Sequence, residues 1–239
     1  MLLKLNDPKV LTDAISLISE LVSEVRLKVT RAGLSIIAVD PANVALVSLK
    51  LPCSLFSEFK TEEEENLGLS LEDFKQILKR AGSGSSLTIE KEENKLKLNI
   101  QDTVKRTFNL ALIAIEAEEK RIPELEFSSK VELNSGIFSN AIEDALVVSD
   151  SCTFSVKDKF IVEAKGSLHS TRTEFNADEA KFSGEAKSKY SLEYLQKFIK
   201  AGRFSDRVQL QFSTDYPARL DFKGPVEMTF ILAPRVEEE

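Results

Sequence analysis

The chain has 239 residues, of which 42% are hydrophobic and 30% charged, and its formal net charge is −7. This length and apolar content are enough for one large or two ordinary globular domains. No stretch approaches the roughly 18 uninterrupted apolar residues of a membrane span. Asp7 and Pro8 also stand where a signal peptide would continue its apolar run. We therefore expect a cytoplasmic or nucleoid-associated protein with no membrane partner.

The acidic balance is concentrated in short runs. Ten carboxylates lie at Glu62–Glu65, at Glu116, Glu118 and Glu119, and at Glu237–Glu239. Without them, 32 basic residues face 29 acidic ones. The net charge alone therefore does not exclude a nucleic-acid partner.

The sequence offers little material for a metal site or a nucleophilic centre. Cys53 and Cys152 lie far apart in apolar surroundings, which is typical of buried thiols rather than of a disulfide. His169 is the only histidine, so neither a Cys/His zinc site nor a Ser-His pair is indicated. We expect no metal, no cofactor and no catalytic residue.

The first half is predicted to contain, in chain order, a strand, a helix, several strands, a second helix and further strands. The first helix follows Asp7 and Pro8 and places apolar residues from Val10 to Val22 at helical spacing. Short alternating segments broken by Gly, Pro and Asn predict strands and hairpins. These segments are VRLKVT, LSIIAV, VALVSLKL, NLGLSL, SLTIEK, KLKLNI and KRTFNLAL.

The second half repeats this order. The helical segment SLEYLQKFI from Ser191 matches SLEDFKQIL from Ser70, and the stretch from Asn134 matches the one from Asp7. The predicted strands of this half are CTFSVK, FIVEAKG, HSTRTEF, EAKSKYSL, VQLQFS, ARLDFK and VEMTFIL. The sequence therefore predicts an α+β protein with two copies of one domain, each with two helices packed on antiparallel sheets.

The boundaries of the two copies follow from composition. We place the domains at residues 1–112 and 128–239, joined by a linker at 113–127. The linker is charged and contains Pro123, which favours a solvent-exposed connection.

The outward faces of the second and fourth helices are predicted to be basic. Their cations are Lys75, Lys79 and Arg80 in the first half, and Lys197, Lys200 and Arg203 in the second. Helix ends also collect basic residues that interact with the helix dipole, and for a single helix this alternative stays open. Because the charge recurs in both copies, we favour a surface that contacts phosphates without reading bases.

Several motifs resemble the sliding clamps of the proliferating cell nuclear antigen family, especially the archaeal ones. They span essentially the whole chain: VDPANVALVSLKL from Val39, QILKRAG from Gln76, RIPELEF from Arg121, YSLEYL from Tyr190 and ILAPRVEEE from Ile231. The resemblance implies a pseudo-sixfold ring of three two-domain subunits, with the helices lining a hole around duplex DNA. It further implies a non-enzymatic processivity factor of DNA replication and repair. Such a factor tethers polymerase, flap endonuclease and ligase through short peptides and is opened by a clamp loader.

The resemblance also implies three sets of site residues. Lys9 and Asn140 join the six cations above as DNA-facing residues. The partner-peptide pocket would use Val39, Val44, Leu46, Ile122, Pro123, Phe127, Pro217, Ile231, Ala233 and Pro234. The subunit interface would pair 103–110 of one copy with about 169–176 of the next, using Arg80, Lys105, Arg106, Phe108, Asp144, Thr171, Thr173 and Phe175.

Alternatives stay open at several of these positions. Core packing is the other interpretation of Val44, Leu46 and Ile231, whereas a pocket there would leave main-chain groups of the linker and tail free for an extended peptide. Asn140 and Glu143 stand where the family often has basic residues, which leaves room for a heterotrimer. We favour a homotrimer because both complementary edges are on this one chain.

Two other function classes compete with the clamp. Asp40, Glu62–Glu65 and Asp150 could form paired carboxylates for hydrolysis or hard-metal binding, although acidic runs in loops are usually solvated surface. A peptide-binding scaffold without a DNA role is the second. It predicts that charge reversal at Lys79, Lys197 and Lys200 leaves polymerase stimulation unchanged.

Overall fold

The computed structural model describes residues 1–115 and 119–235. The acidic residues Glu116 and Glu118 and the run Glu237–Glu239 lie outside these ranges. The chain divides into two compact units: unit 1 is Met1–Pro41 with Val47–Arg121, and unit 2 is Ala42–Leu46 with Ile122–Glu239. Within the described residues, no helix is long and apolar enough to cross a membrane.

The first half of the chain alternates short strands with two helices. Its elements are β1 (Leu2–Leu5), α1 (Lys9–Ile18), β2 (Glu24–Thr30), β3 (Gly33–Val39), β4 (Ala45–Pro52), β5 (Glu58–Lys60), β6 (Glu65–Ser70), α2 (Leu71–Leu78), β7 (Ser86–Glu92), β8 (Lys95–Gln101) and β9 (Lys105–Ala111). A 3-10 turn at Cys53–Leu55 connects β4 to β5.

The second half repeats the same order of elements. They are β10 (Ser129–Asn134), α3 (Ser135–Leu146), β11 (Ser151–Val156), β12 (Phe160–Lys165), β13 (Ser170–Phe175), β14 (Ala180–Gly184), β15 (Ala186–Ser191), α4 (Leu192–Phe198), β16 (Arg207–Phe212), β17 (Ala218–Lys223) and β18 (Glu227–Leu232). A 3-10 helix, Ile199–Phe204, continues α4.

The two halves share one strand topology. In the first, the strand orders are β5-β1-β7-β8-β9 and β4-β3-β2-β6. In the second, they are β14-β10-β16-β17-β18 and β13-β12-β11-β15. Strand β9 therefore corresponds to β18, and β4 corresponds to β13. The equivalence confirms the predicted duplication and the predicted α+β class.

Local sequence signals position the helices. Asp7 accepts a 2.9 Å hydrogen bond from the Lys9 amide at the start of α1, and Asn134 caps α3 by accepting from Gly136 at 2.8 Å. The apolar faces of α1 and α2 are buried, and these two helices pack side by side, as α3 and α4 do. Each pair leaves its polar face outward, as the periodicity predicts.

The core of unit 2 contains an aromatic cluster around Phe154. Its ring lies 5.2–5.9 Å from the rings of Phe138, Phe160, Tyr190 and Phe212. All five side chains are completely buried. This cluster ties α3 to the strands of both sheets of the unit.

The elements of the fold differ from the sequence-based expectations in four places. Strands β5 and β14 were not predicted, because each is short and lies at the edge of its sheet. The fourth helix is α-helical only to Phe198, one residue before the end of the matched segment SLEYLQKFI, and tightens to a 3-10 helix from Ile199. Cys152 is buried as expected, whereas Cys53 is only half-buried because it begins a surface turn.

Candidate functional site

The predicted DNA-facing residues of unit 1 differ in how they are held. Lys9 is 71% exposed and pairs with Asp13 one helical turn on. Lys75 is only 19% exposed and pairs at 2.6 Å with Glu72, which lowers the pKa of that carboxyl. Lys79 and Arg80 are exposed just beyond the last residue of α2. Of the predicted DNA-facing cations of unit 1, the accessible ones are therefore Lys9 on α1 and the pair Lys79 and Arg80 at the end of α2.

In unit 2 the corresponding cations follow α4 and its 3-10 extension. Lys197 is 24% exposed, lies 3.5 Å from Glu193 and sits 5.4 Å from the ring centre of Tyr194. Lys200 and Arg203 are exposed on the 3-10 helix, and the Arg203 Nε donates to the Lys200 carbonyl at 3.2 Å. Positive charge thus extends past the end of the α-helix.

Helix α3 does not add to this charge. Asn140 is exposed on it, together with Glu143 and Asp144. Polar and acidic side chains therefore accompany the cations of α4 in unit 2, as the sequence indicates.

Nine of the ten predicted pocket residues belong to unit 2. Val44, Ile122, Pro123, Phe127, Pro217, Ala233 and Pro234 are half-buried or exposed, so their side chains are open to contact. Leu46 and Ile231 are only 9% and 7% exposed, so both contribute mainly to packing. Val39 lies in unit 1, where it lines a cavity of about 280 Å³.

An aromatic contact and a hydrogen bond connect the predicted pocket residues to the core of unit 2. The Phe127 ring meets the Tyr216 ring edge-on, with centroids 6.1 Å apart. The Tyr216 carbonyl accepts a 2.7 Å hydrogen bond from the Tyr190 hydroxyl. Burial raises the pKa of Tyr190, so this hydroxyl stays a donor well above neutral pH. The core therefore fixes the segment next to Pro217.

The carboxy-terminal segment is fastened by its main chain. The Ala233 amide donates to the Val44 carbonyl at 2.9 Å, and the Arg235 amide donates to the Lys189 carbonyl at 2.7 Å. The sequence-based hypothesis supposed that main-chain groups of the tail are free to bind a peptide. These two amides are instead engaged within the chain. Pro234 lies between them and has no backbone N–H that could donate a hydrogen bond. The Arg235 guanidinium also meets Asp150 at 2.7 Å and lowers the pKa of that carboxyl.

Both predicted subunit edges are edges of sheets. In the part of the chain that the structure describes, β9 is the last strand of its sheet beside β8, and β13 is the last strand beside β12. Lys105 is exposed and Phe108 half-buried on β9, while Thr171 and Thr173 are half-buried on β13.

Two of the predicted interface side chains are already engaged inside the chain. Phe175 is 2% exposed and stacks on Phe160, so it contributes to the core rather than to a surface. Arg106 pairs with Asp102 and donates to the Arg80 carbonyl at 3.1 Å. The sequence pattern places both on an edge strand but gives no information about these internal partners.

Exposed apolar side chains beside both edges were missed at the sequence level. Val104 precedes β9 and is 59% exposed, whereas Leu168 precedes β13 and is 87% exposed. Val147, at the end of α3, is 85% exposed. The turn that holds Leu168 packs against this helix end, since a Cβ on Gly166 would lie 2.3 Å from the Val148 carbonyl oxygen. Isolated apolar residues in turns give no periodic signal.

The carboxylates of the enzyme hypothesis are dispersed. Asp40 is buried, the run Glu62–Glu65 is largely exposed, and Asp150 is paired with Arg235. Across residues 1–115 and 119–235, no three His, Cys, Asp or Glu side chains are grouped so that they could hold a metal ion.

Comparison with known proteins identifies the family. Residues 1–120 match the sequence model of the proliferating cell nuclear antigen N-terminal domain, and residues 121–235 match that of its C-terminal domain. The DNA polymerase sliding clamp of Thermococcus gammatolerans is 38% identical over 239 residues, covering 96% of both chains. That of Pyrococcus furiosus is 35% identical over 229 residues, covering 92% of both.

Solved structures agree with the sequence matches. The A. fulgidus PCNA bound to the C-terminal region of FEN-1 superposes with a TM-score of 0.92 at 33% identity, covering 100% of this chain and 99% of that one. A chain of the PCNA2-PCNA3 complex from Sulfolobus tokodaii superposes with a TM-score of 0.89 at 29% identity, covering 99% and 100%. With its repeated strand order and both domain models matched along its length, the chain belongs to the proliferating cell nuclear antigen family.

Proposed function

We propose that the chain is a subunit of a DNA sliding clamp that closes into a ring of three copies. The observation that carries this proposal concerns two equivalent pairs of strands: β4 and β18 are in contact within the chain, whereas among the described residues their equivalents β13 and β9 are not paired with each other. Val44, just before β4, accepts the Ala233 amide, just after β18, at 2.9 Å. Their equivalents β13 and β9 are the outer strands of their sheets. The same contact made between copies joins β9 of one to β13 of the next, and repetition closes a ring.

Strand pairing alone leaves little or no net free energy of association for such a ring. An antiparallel pairing of six residues forms about six hydrogen bonds, each with a net value of about 0.5–1.5 kcal/mol. Association costs about 4–15 kcal/mol, so apolar burial must supply the remainder. The exposed side chains of Val104, Val147 and Leu168, beside the two edges, support such burial. Exposed ion pairs from Lys105 or Asp144 would add only about 0–1 kcal/mol each.

In this function the ring holds DNA by enclosure. Lys9, Lys79, Arg80, Lys200 and Arg203 are the exposed cations of the lining, and they contact phosphates without sequence preference. Lys75 and Lys197 are less exposed and paired with Glu72 and Glu193, so they contribute less. Weak contacts are sufficient because topology provides retention, and they allow the ring to slide.

The second activity of the ring is to recruit enzymes. The surface formed by Val44, Pro123, Phe127, Pro217 and Pro234 in unit 2 suits aromatic or aliphatic anchors of an extended peptide. The relative from A. fulgidus binds the C-terminal region of FEN-1. By the same chemistry, we expect this chain to bind peptides of a polymerase, a flap endonuclease, a ligase and a clamp loader. The chain itself makes and breaks no bond.

A mixed ring is the second candidate. The relative from Sulfolobus tokodaii forms a PCNA2-PCNA3 complex. Asn140, Glu143 and Asp144 on α3 leave part of unit 2 without positive charge, which more basic subunits could supply. We favour three identical copies because this one chain presents both edges.

Mass measurement and DNA retention test the proposal together. At micromolar concentration, native mass spectrometry should give about three times the 26.7 kDa of one chain. The double substitution V147E/L168E should give monomers that keep the far-ultraviolet circular dichroism spectrum of the wild type. A wild-type monomer would exclude the homotrimer, and a monomer that also fails to join related subunits would exclude the ring.

Retention on DNA distinguishes enclosure from adhesion. After loading, the protein should remain on closed circular DNA and leave once the circle is linearised. Neutralising Lys79, Arg80, Lys200 and Arg203 should reduce polymerase stimulation, whereas a scaffold without a DNA role would be unaffected. Equal retention on circular and open-ended DNA would contradict the proposal.

A further inference from the structure

Strand β2 carries two cations that reach the start of the linker. Arg26 donates from Nη2 to the Ile115 carbonyl at 2.8 Å. Lys28, two residues along, donates from Nζ to the Glu119 carboxylate at 3.1 Å. Residues two apart on a strand point to the same face, about 7 Å from each other. The two contacts therefore hold the linker on both sides of residues 116–118, which lie outside the described ranges.

The main chain next to this pair is also fixed. The Ile113 amide donates to the Gly68 carbonyl at 3.0 Å. A Cβ on Gly68 would lie 2.0 Å from the Ile113 carbonyl oxygen, so only glycine permits this approach of linker to β6. This contact within unit 1 therefore sets the starting position of the linker.

A cavity of about 280 Å³ lies next to these contacts. Ile115 and Glu119 of the linker line it together with Val25, Ile37 and Val39 of β2 and β3. Because this space is open, the polar contacts of Arg26 and Lys28 add to the main-chain contact of Ile113 in holding the linker.

Lys28 has a second partner that makes the arrangement testable. Its ammonium also meets Glu64 at 2.7 Å. Both carboxylates favour the charged form and raise the pKa of Lys28, so it stays a cation throughout the neutral range. Glu64 belongs to the acidic loop before β6, whereas Glu119 belongs to the linker. Removing one carboxylate or the other separates the linker contact from the charge of Lys28.

We propose that Arg26 and Lys28 form a linker brace that holds residues 113–115 and 119–121 before a partner binds and thereby strengthens peptide binding at Ile122 and Pro123, which follow directly in the chain. Both are positioning residues, since neither belongs to the peptide pocket. A linker already held in place loses little conformational entropy on binding, whereas a released one must be ordered by the peptide. The inference rests on the proposed recruitment function and adds the residues that set its affinity.

The test compares the full chain with R26M/K28M, which keeps the aliphatic stems and removes the donors. The probe is a synthetic peptide with the sequence of the C-terminal region of FEN-1, titrated by calorimetry. We expect binding about tenfold weaker for the double variant, the factor that corresponds to one charged hydrogen bond. K50M, at an exposed lysine of β4, is the matched control and should bind like wild type.

Single carboxamide variants give a sharper comparison. E119Q should weaken peptide binding because it replaces the ion pair that holds the linker with a weaker, neutral contact, and E64Q should not, although each removes one charged partner of Lys28. The contribution of Glu119 should also shrink as salt rises, because an exposed ion pair is screened. A purely structural role of Lys28 would make the two variants equal.

Amide hydrogen exchange reports on the brace without any peptide. Exchange at Ile113 should be faster in R26M/K28M, while core amides of β7 and β8 keep their rates. Unchanged exchange at Ile113 would show that the brace does not order the linker. Equal affinity of both proteins would overturn the link to binding, and a wild type that binds no peptide would overturn the recruitment function itself.

Discussion

The substitution Tyr190→Phe tests how the core of unit 2 supports the candidate pocket. Tyr190 is fully buried, and its hydroxyl donates a 2.7 Å hydrogen bond to the Tyr216 carbonyl. Phenylalanine keeps the ring and its aromatic contacts but leaves that carbonyl without this donor. A fully buried carbonyl that loses its partner costs about 1–3 kcal/mol; because this hydrogen bond is only partly buried, we expect the free energy of unfolding to fall by about 1–2 kcal/mol.

The expected change is measurable by two methods. For a chain of this size, 1 kcal/mol moves the melting temperature by about 2–4 °C, so a fall of about 2–8 °C is predicted. Urea unfolding at pH 7 should show a lower midpoint with an unchanged slope. The FEN-1 peptide should also bind more weakly, because the Tyr216 ring that meets Phe127 is less firmly held.

The pH dependence provides the decisive control. Burial raises the pKa of Tyr190 in the folded chain, while the unfolded chain ionises near the ordinary value of about 10. The phenol's contribution to stability is therefore complete below pH 10. It declines by about 1.4 kcal/mol per pH unit as pH rises from there toward the raised folded value. Phenylalanine has no such loss, so the two proteins should become about equally stable near pH 11.

Two results would refute this reasoning. Equal stability of the two proteins at pH 7 would mean that the hydrogen bond is replaced at no cost. A stability difference that stays constant from pH 8 to pH 11 would mean that Tyr190 titrates normally in the folded chain.

Three further substitutions test other parts of the fold. Phe154→Ala removes the centre of the aromatic cluster and should lower the free energy of unfolding by about 3–5 kcal/mol in urea titrations; a loss below about 1 kcal/mol would contradict the packing. Gly33→Ala places a Cβ 2.1 Å from a main-chain oxygen at a φ of 141° and should lower the melting temperature, whereas Gly82→Ala meets no atom within 4 Å and should not. In the wild type, the hydrogen bond from Arg235 lowers the pKa of the Asp150 carboxyl, and Asp150→Asn removes this charged partner. It should cost less than about 1 kcal/mol at pH 7, because the pair is exposed, and acid titration should show the difference vanish as pH falls below the ordinary pKa of 3.8.

The sequence predicts the architecture well because the signals for it are local or repeated. The apolar spacing of α1, the alternation within the strands and the matching helices at Ser70 and Ser191 are each visible in a few residues. The open edges β9 and β13 also lie where the resemblance places them. Short edge strands such as β14 are missed because a few residues carry no usable period.

Side-chain partners are the part that sequence reasoning could not supply. Arg26 and Ile115 are 89 residues apart, so no local pattern connects them. The pairing of Lys75 with Glu72 is visible as a helical spacing, but its effect on exposure depends on the fold. The internal partners of Phe175 and Arg106 likewise appear only once the sheet is assembled. The roles of the individual site residues stay predictions until the variants above are measured.

The tightening of the fourth helix has a consequence for the electric field that DNA would meet. In a 3-10 helix, residues three apart are aligned one above the other and about 6 Å apart. Lys200 and Arg203 thus lie one above the other along the helix axis. The cations that follow α2, Lys79 and Arg80, are instead neighbours in the sequence and are not aligned in this way. Three copies in a ring would then carry two kinds of positive surface, one from each unit. A duplex inside such a ring would experience electrostatics of threefold symmetry, although each chain contains two copies of one domain.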